Sequence, residues 1–358
     1  MNDFMKSKII TADMEEIYLR NYDWESFDGR TFLITGAYGM LASYIAYFLI
    51  FLREKKGISL SIMAQGRNEE KAKARYGVYF SKDYFRYLNQ DILLKNDISV
   101  PPPADYIIHA AGAANPKLYT TNPVEIIEPN VIGTYNLLKN CDSKRLKGLL
   151  FLSSGDVYGK VTGVENIYES TLGEIDPLDI HSCYSESKRM AETLLSSFHR
   201  EYGLNTLIAR VGHTYGPTMD VENDPRSFAS FMKCALNDEN IILHSDGLAK
   251  RPFCYISDAV AGYFLIILKG NGGEAYNVTN TEQFIPIRYI AKIAADLPCK
   301  GLKVSYKERN KSDTYHQDTI NIENKPVEDK LIKLGWTHKV SVSEGFSRVY
   351  RYFNERKA

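Results

Sequence analysis

A tyrosine and a lysine stand four residues apart in "CYSESKRMAE", as Tyr184 and Lys188. On a helix that spacing places both on one face. A phenol ordinarily loses its proton at a pH of about 10, and a nearby ammonium favours the phenolate and lowers that value. Such a pair can take the proton of a hydroxyl while hydride leaves the same carbon for a nicotinamide. The spacing also arises by chance on solvated helices, so it acquires meaning only if a hydride acceptor has somewhere to bind. An upstream stretch offers that place: Thr35-Gly36-Ala37-Tyr38-Gly39-Met40-Leu41-Ala42 reads G-x-x-G-x-x-A between a short strand and an apolar helix. Glycine lets the backbone approach a pyrophosphate, and the helix start presents unpaired N–H groups and partial positive charge. The closing alanine still permits close helix–sheet packing. Gly36, Tyr38, Gly39 and Met40 are therefore candidate cofactor ligands.

At the end of the second strand this fold usually carries an acid that holds the ribose hydroxyls. Here the residues are Gln65-Gly66-Arg67-Asn68, with Lys71 close behind. Arg67 can pair with a 2′-phosphate, which keeps NADP beside NAD; a solvated basic loop is the plainer alternative. Asp91, followed by Ile92 in "NQDIL", trails another expected strand. It can accept from an adenine amino group or cap its own turn.

The elements that position these residues can be read from apolar runs and their punctuation. "TFLITG", "ISLSIMAQG", "DYIIHAAG", "KGLLFLSSG" and "NTLIARVG" read as strands. Between them lie helical stretches: 40–52, "NPVEIIEPNVIGTYNLLKNC", and 181–203 with Met190, Leu194 and Phe198 on one side. Strands alternating with helices predict an α/β Rossmann fold, a doubly wound parallel sheet covered on both faces. After about residue 212 the pattern loosens, and "PPP" at 101–103 reads as a local turn. The expected division is a dinucleotide-binding domain over 25–212 to which segments of about 250–280 return. A smaller α/β substrate-binding annex takes 213–249 and 281–358, and residues 1–24 form an N-terminal extension that covers the sheet edge or reaches a neighbour.

Lysine plus arginine equals aspartate plus glutamate, 44 each among 358 residues, so no basic excess favours nucleic acid or an anionic membrane. Five scattered cysteines without a C-x-x-C pair fit free thiols in a reducing cytoplasm and no metal site. The longest apolar run, Met40 to Leu52, is shorter than the ~20 residues of a membrane span. The expectation is a cytoplasmic protein.

"TGAYGMLA", "HAAG", "NVIGT", "SSGDVYG", "CYSESKRMAE", "ARVGHTYGP" and "KRPFCYISD" occur here in the order seen in extended short-chain dehydrogenases/reductases. The resemblance runs from about residue 29 to 350, and within that family the chain most resembles UDP-glucuronate decarboxylases, then 4-epimerases and 4,6-dehydratases of sugar nucleotides. It implies a nucleotide-diphosphate sugar as substrate, oxidised at C4, and NAD or NADP held tightly and recycled within one cycle. It implies Tyr184 as base, Lys188 as its partner, and Ser154 as the residue that hydrogen-bonds the reacting hydroxyl. Ala110, Ala111 and Gly112 match cofactor-strand positions, and Asn130 a scaffold position. Asn115, Tyr119, His213, Arg226 and Arg251 match substrate-side positions; an ordinary surface ion pair is the alternative for each arginine. A histidine at 213, where the family's motif has asparagine, can donate to the substrate and titrate near neutral pH; a packed histidine is the equal alternative. The resemblance also implies a homodimer through the helix carrying the tyrosine.

Gly155 and Asp156, just before "VYG", bear on the fate of the sugar once C4 is a ketone. The resembling 4,6-dehydratases carry Asp-Glu there: an acid for the departing water and a base for C5. Gly155 has no proton to give, and Asp156 is one methylene shorter than glutamate. Decarboxylation asks less, since the C4 ketone is itself the electron sink, and epimerisation needs no extra acid. Asp156 thus joins the catalytic candidates, and dehydration drops to second rank beside a net NADP-dependent reductase. A cofactor-binding scaffold without turnover is the non-enzymatic alternative.

Overall fold

The computed structural model describes residues 3–93, 104–307 and 324–356. Pro101 to Pro103, read above as a turn, lie outside the described residues. An N-terminal helix, α1 (Lys8–Tyr18), precedes the alternating core. That core runs β1 (Thr31–Thr35), α2 (Met40–Lys56), β2 (Ser61–Gly66), α3 (Glu69–Tyr76), β3 (Phe85–Asn89) and β4 (Tyr106–His109). Next come α4 (Pro116–Thr121), α5 (Pro123–Glu128), α6 (Thr134–Lys139), β5 (Gly148–Ser154), β6 (Asn166–Ile167), α7 (Ser182–Tyr202) and β7 (Thr206–Val211). A single π turn, Pro129–Gly133, joins α5 to α6.

Seven of the strands form one parallel sheet, in the order β11-β7-β5-β4-β1-β2-β3, where β11 is Ala275–Val278. The chain leaves β1 toward β2 on one side and later returns to its other side as β4. Thr35 is thus flanked by Gln65 and His109 in register. Such a reversal of strand order opens a crevice at the carboxyl ends of the strands, where ligands of this fold bind.

β8 (His213–Tyr215), α8 (Ser227–Leu236), β9 (Ile241–Leu243), β10 (Lys250–Tyr255) and α9 (Ile256–Lys269) precede β11. After it come β12 (Phe284–Pro286), α10 (Ile287–Asp296), β13 (Val304–Tyr306), β14 (Lys325–Pro326), α11 (Asp329–Lys333) and α12 (Val342–Glu355). β10 pairs with β8 and β12 in a second, three-stranded sheet, which sets His213 opposite Phe253.

The apolar run of α2 is buried without a break from Ala42 to Leu52, because its outer side is covered as well as its sheet side. The cover is α1, which packs on α2, α9 and α12 through Ile10, Met14 and Ile17. Trp24 and Phe27 extend the seam against Phe48 and Phe264. Fully burying a side chain of this size contributes about 1.5–3 kcal/mol, so the N-terminal segment belongs to the core of its own chain. Polar contacts fix its register. Asp13 is fully buried; Tyr44 and Tyr255 donate their hydroxyls to it, and Arg348 donates from α12 at 2.7 Å. Arg20 pairs with Asp258 at the start of α9.

On α7 the buried side is Tyr184, Ser187, Lys188, Ala191, Leu195 and Phe198. Of the expected Met190–Leu194–Phe198 side, Phe198 is buried and Leu194 packs against the core, while Met190 stays exposed. The helix turns inward the side that carries the tyrosine and the lysine. No described helix is long and apolar enough to cross a membrane.

Candidate active site

The glycine turn is built into the crevice by its own backbone. The Ala37 N–H donates to the Gln65 carbonyl at 3.0 Å, and Tyr76 donates its hydroxyl to the Ala37 carbonyl. Gly36 has φ +63°, and a Cβ there would lie 2.7 Å from the Ala110 carbonyl oxygen, so only glycine fits. Gly39 is the exposed N-cap of α2 and makes no side-chain cap bond. The first N–H groups of α2, in the turn of Met40, are therefore left for a ligand. A bare turn before a long helix is the cradle a pyrophosphate requires, and these residues fit a dinucleotide.

Beside the turn, Thr35 Oγ accepts from the N–H groups of Ala110 and Ala111, each at 3.2 Å, so its proton goes to His109 Nδ1 at 2.8 Å. His109 Nε2 then donates to Thr134 Oγ at 3.0 Å, and Thr134 donates to the Asn130 carbonyl. Burial, aided by the Lys188 charge, pushes the His109 pKa down to about 3, consistent with this neutral tautomer. Gly112 has φ +139° and leaves room for Asn130 Oδ1, only 2.6 Å from where a Cβ would stand. Asn130 donates to the Ile126 carbonyl and to Ser187 Oγ, tying the π turn to the catalytic helix.

At the adenosine end, Arg67 reaches Asp91 at 3.6 Å, and Asp91 also accepts from the Leu93 N–H at 3.0 Å. Ile92 is buried in the core, and its carbonyl accepts from Asn136 at 3.1 Å. Asn68 caps α3 by accepting from the Lys71 N–H.

The reacting end lies where β5 meets α7. Ser154 ends β5; its hydroxyl accepts from the Asp156 N–H at 3.2 Å and acts on the Tyr184 phenol, helping to lower its pKa. Tyr119 stacks on Tyr184 with ring centroids 5.1 Å apart and 14° between planes. Asn115 caps α4, accepting from the Lys117 N–H. Lys188 donates to the Leu152 carbonyl at 2.8 Å and lies 4.5 Å from the Phe151 ring centre and 5.7 Å from that of Tyr184.

The electrostatics correct one expectation. Burial holds the Tyr184 phenol well above its ordinary pKa, and Asp156 raises it further; the Ser154 hydrogen bond and the Arg226 charge pull it back. Burial also pushes Lys188 down to about 7, against the opposing pull of Glu192 and Asp156. Desolvation therefore outweighs the expected lowering of the phenol by the ammonium.

Asp156 is open to the cleft yet crowded by protein, and that crowding raises its pKa; Arg251, Arg226, His181 and Lys188 oppose the rise. Arg226 chelates Asp224 at 2.5–3.0 Å and still faces Tyr184 and Tyr119, so ion pair and site residue are one. Burial draws Arg251 down to about 10. His213, expected to titrate near neutrality, is instead held neutral: burial and the Arg251 and Arg226 charges push it to about 3.

One pair escaped the reading of the sequence. Glu192, a helical turn after Lys188, accepts from Ser153 Oγ at 2.6 Å and from Arg210 Nη2 at 2.7 Å. It clamps the strand end bearing Ser154 to the helix bearing Tyr184. Its i, i+4 spacing from Lys188 was the available signal.

A parallel sheet reversing at a glycine turn, with serine, tyrosine and lysine over its carboxyl edge, defines a dinucleotide-dependent Rossmann enzyme. The chain belongs to the NAD dependent epimerase/dehydratase family, which it matches over residues 32–279. It is 33% identical over 267 residues to UDP-glucuronic acid decarboxylase 3 of Arabidopsis thaliana, spanning 74% of this chain and 75% of that protein. It is 27% identical over 330 residues to UDP-glucuronic acid decarboxylase 1 of Xenopus tropicalis, spanning 92% and 73%. Its fold resembles UDP-glucose 4-epimerase of Thermotoga maritima, crystallised with UDP-glucose: TM-score 0.76, 23% identity, 92% and 100% covered. It also resembles dTDP-glucose 4,6-dehydratase of Streptomyces venezuelae with NAD and TYD bound: TM-score 0.75, 22% identity, 91% and 98% covered.

Proposed function

We propose that the protein oxidises a nucleotide-diphosphate sugar at C4, then either releases a C6 carboxylate as carbon dioxide or returns hydride to the opposite face. The observation that carries this reading is the convergence of Ser154, Tyr184 and Asp156 in one cleft with Arg226, Arg251 and Lys188. Arginines facing a cleft suit a diphosphate. When bound, the nicotinamide takes hydride from C4 and gives it back. Tyr184 would serve as base only as the phenolate, which the positive charge of an oxidised nicotinamide would favour against the burial that raises its pKa. In that form it takes the C4 hydroxyl proton, and Ser154 holds that oxygen as it becomes a ketone. If C6 is a carboxylate, the C5–C6 bond breaks, carbon dioxide departs, and the electron pair rests on the C4 ketone as an enolate. Asp156, whose pKa is raised, can deliver the proton to C5. Tyr184 then returns its proton as the ketone is reduced. Without a C6 carboxylate the same residues serve epimerisation. Dehydration stays behind both because Gly155 offers no acid.

The homodimer belongs to this reading. Val124, Ile127, Tyr135, Met190 and Tyr202 are exposed apolar side chains on the packed group α5, α6 and α7, and a second copy would cover them. A monomer in light scattering at micromolar concentration counts against it. The test of the chemistry is mass spectrometry of UDP-glucuronate and UDP-glucose after incubation with the protein, with and without NAD or NADP. Loss of carbon dioxide establishes decarboxylation, and an isomer of unchanged mass establishes epimerisation. Stoichiometric consumption of NADPH overturns the closed redox cycle.

A further inference from the structure

Tyr38 has no part in that chemistry, yet its position is over-determined. Its neighbour Ala37 is tied to the sheet through both N–H and carbonyl, and Gly39 begins the helix. The Tyr38 ring packs at the edge of the main hydrophobic core. It thereby covers the end of β2. A Cβ on Gly66 would lie 2.6 Å from Tyr38 Cε1, 3.0 Å from Cδ1 and 3.1 Å from the Tyr87 hydroxyl. A side chain at 66 would meet the ring at 38 where it stands, so one of the two must shift to admit the other.

We propose that Tyr38 is a specificity-determining residue for the cofactor. By filling the place where this fold seats its ribose-binding carboxylate, it leaves the adenosine end to Arg67 and selects the dinucleotide bearing a 2′-phosphate over the one with a free 2′-hydroxyl.

The charges around Arg67 agree. Its side chain is 61% exposed, at the β2 terminus, and its contact with Asp91 is long, 3.6 Å. Asp91 keeps its other oxygen on the Leu93 N–H and so remains in its own turn. The two acids in the first turn of α3 do not compete, since Glu69 and Glu70 both face Lys73, at 2.8 and 4.0 Å. A 2′-phosphate meets a planar guanidinium suited to it. A 2′-hydroxyl finds no carboxylate at residue 66 to accept its proton, and hydrogen-bonded recognition of that kind is what discriminates ribose forms.

The inference rests on the dinucleotide site and not on the sugar chemistry, so its test reads binding without turnover. Calorimetric titration of the cofactor-stripped full-length protein with NADP and NAD is expected to favour NADP by about ten-fold or more, the worth of a charge-assisted contact. Arg67→Ala is expected to remove that preference by weakening NADP while leaving NAD nearly unchanged. Gly66→Asp alone gains less NAD affinity than Tyr38→Ala/Gly66→Asp, because only the double variant makes room for the acid. That non-additivity is a signature general destabilisation does not produce. Wild type binding NAD as tightly as NADP, Arg67→Ala weakening both alike, or Gly66→Asp matching the double variant overturns the proposal. Intact NADP preference with no product from any nucleotide sugar counts instead against the proposed reaction.

Discussion

Three glycines cluster around the turn after β5, and only one of them can be replaced. Gly159 has φ +64°, and a Cβ there would lie 2.4 Å from the Glu174 carbonyl oxygen. At Gly173 the corresponding distance to the Tyr158 carbonyl oxygen is 2.3 Å. Gly155 differs: its φ is outside the left-handed region, and its Cβ would meet only the Val211 carbonyl oxygen, at 3.8 Å. Sterics do not dictate this glycine, so Gly155→Asp should fold, and it places an acid next to Asp156. A positioned general acid contributes about 10²–10⁴-fold, which is about 3–5 kcal/mol off the barrier. That is the expected rise in water loss from a C4-oxidised sugar carrying a C6 hydroxyl. The assay is mass spectrometry of the products from UDP-glucose and dTDP-glucose with wild type, Gly155→Asp and Gly155→Asp/Asp156→Glu. Circular dichroism checks the fold, and reduced-nicotinamide absorbance checks C4 oxidation. A folded Gly155→Asp protein that oxidises C4 yet loses water no faster than wild type refutes the assignment of reaction outcome to this position. So does a wild type that already dehydrates.

Arg348→Met leaves Asp13 buried without its cation, a loss of about 3–5 kcal/mol. Asp13 already sits near pKa 6, and removing the cation raises it further, so the acid becomes protonated and neutral at low pH. Chemical denaturation should therefore show a smaller loss at pH 5 than at pH 8; equal losses would contradict the role of Asp13. Glu192→Gln and Arg210→Met each break a pair whose side chains are 12–13% exposed, and each should cost about 3–5 kcal/mol. The double variant should cost clearly less than their sum, and kcat of Glu192→Gln should fall as Ser154 loosens; additivity would mean the pair is not coupled. Lys188 has a folded pKa near 7, below its ordinary 10.5, so between those values the unfolded chain binds the extra proton. Stability of the cofactor-free protein should rise with pH across that window, and Lys188→Met should flatten the rise in thermal melts at pH 7 and 8.5.

Much of the scaffold was legible because local rules and tertiary packing agree there. The strands around Thr35, His109 and Ser154 are continuous apolar runs, as strands buried on both faces must be. The glycine turn announced itself by residue type, and Tyr184 and Lys188 by helical spacing. The unreadable parts depend on burial, which no spacing encodes. His213 and Lys188 each carry a charge-bearing group in a crowded cleft, and only the cleft shows that desolvation outweighs the partner. On α7 Met190 stays outside although it is apolar, while the face that turns inward is partly polar, holding Ser187 and Lys188. Helix α1 was ambiguous because its partners, Tyr255 and Arg348, lie 242 and 335 residues downstream.

Those separations govern the order in which the molecule can be completed. Helix α1 leaves the ribosome before the Rossmann core, and α2 emerges soon enough to take one of its sides. The last contact of Asp13 must wait for Arg348. At about 5–20 residues per second of synthesis, the interval is about 20–70 s. Throughout it the α1 surface destined for α12 has no native partner, and Asp13 has no cation. A Rossmann core assembled from the N-terminus onward therefore cannot be sealed from the N-terminus. The helix that precedes the Rossmann core is fastened only after α12 has been made.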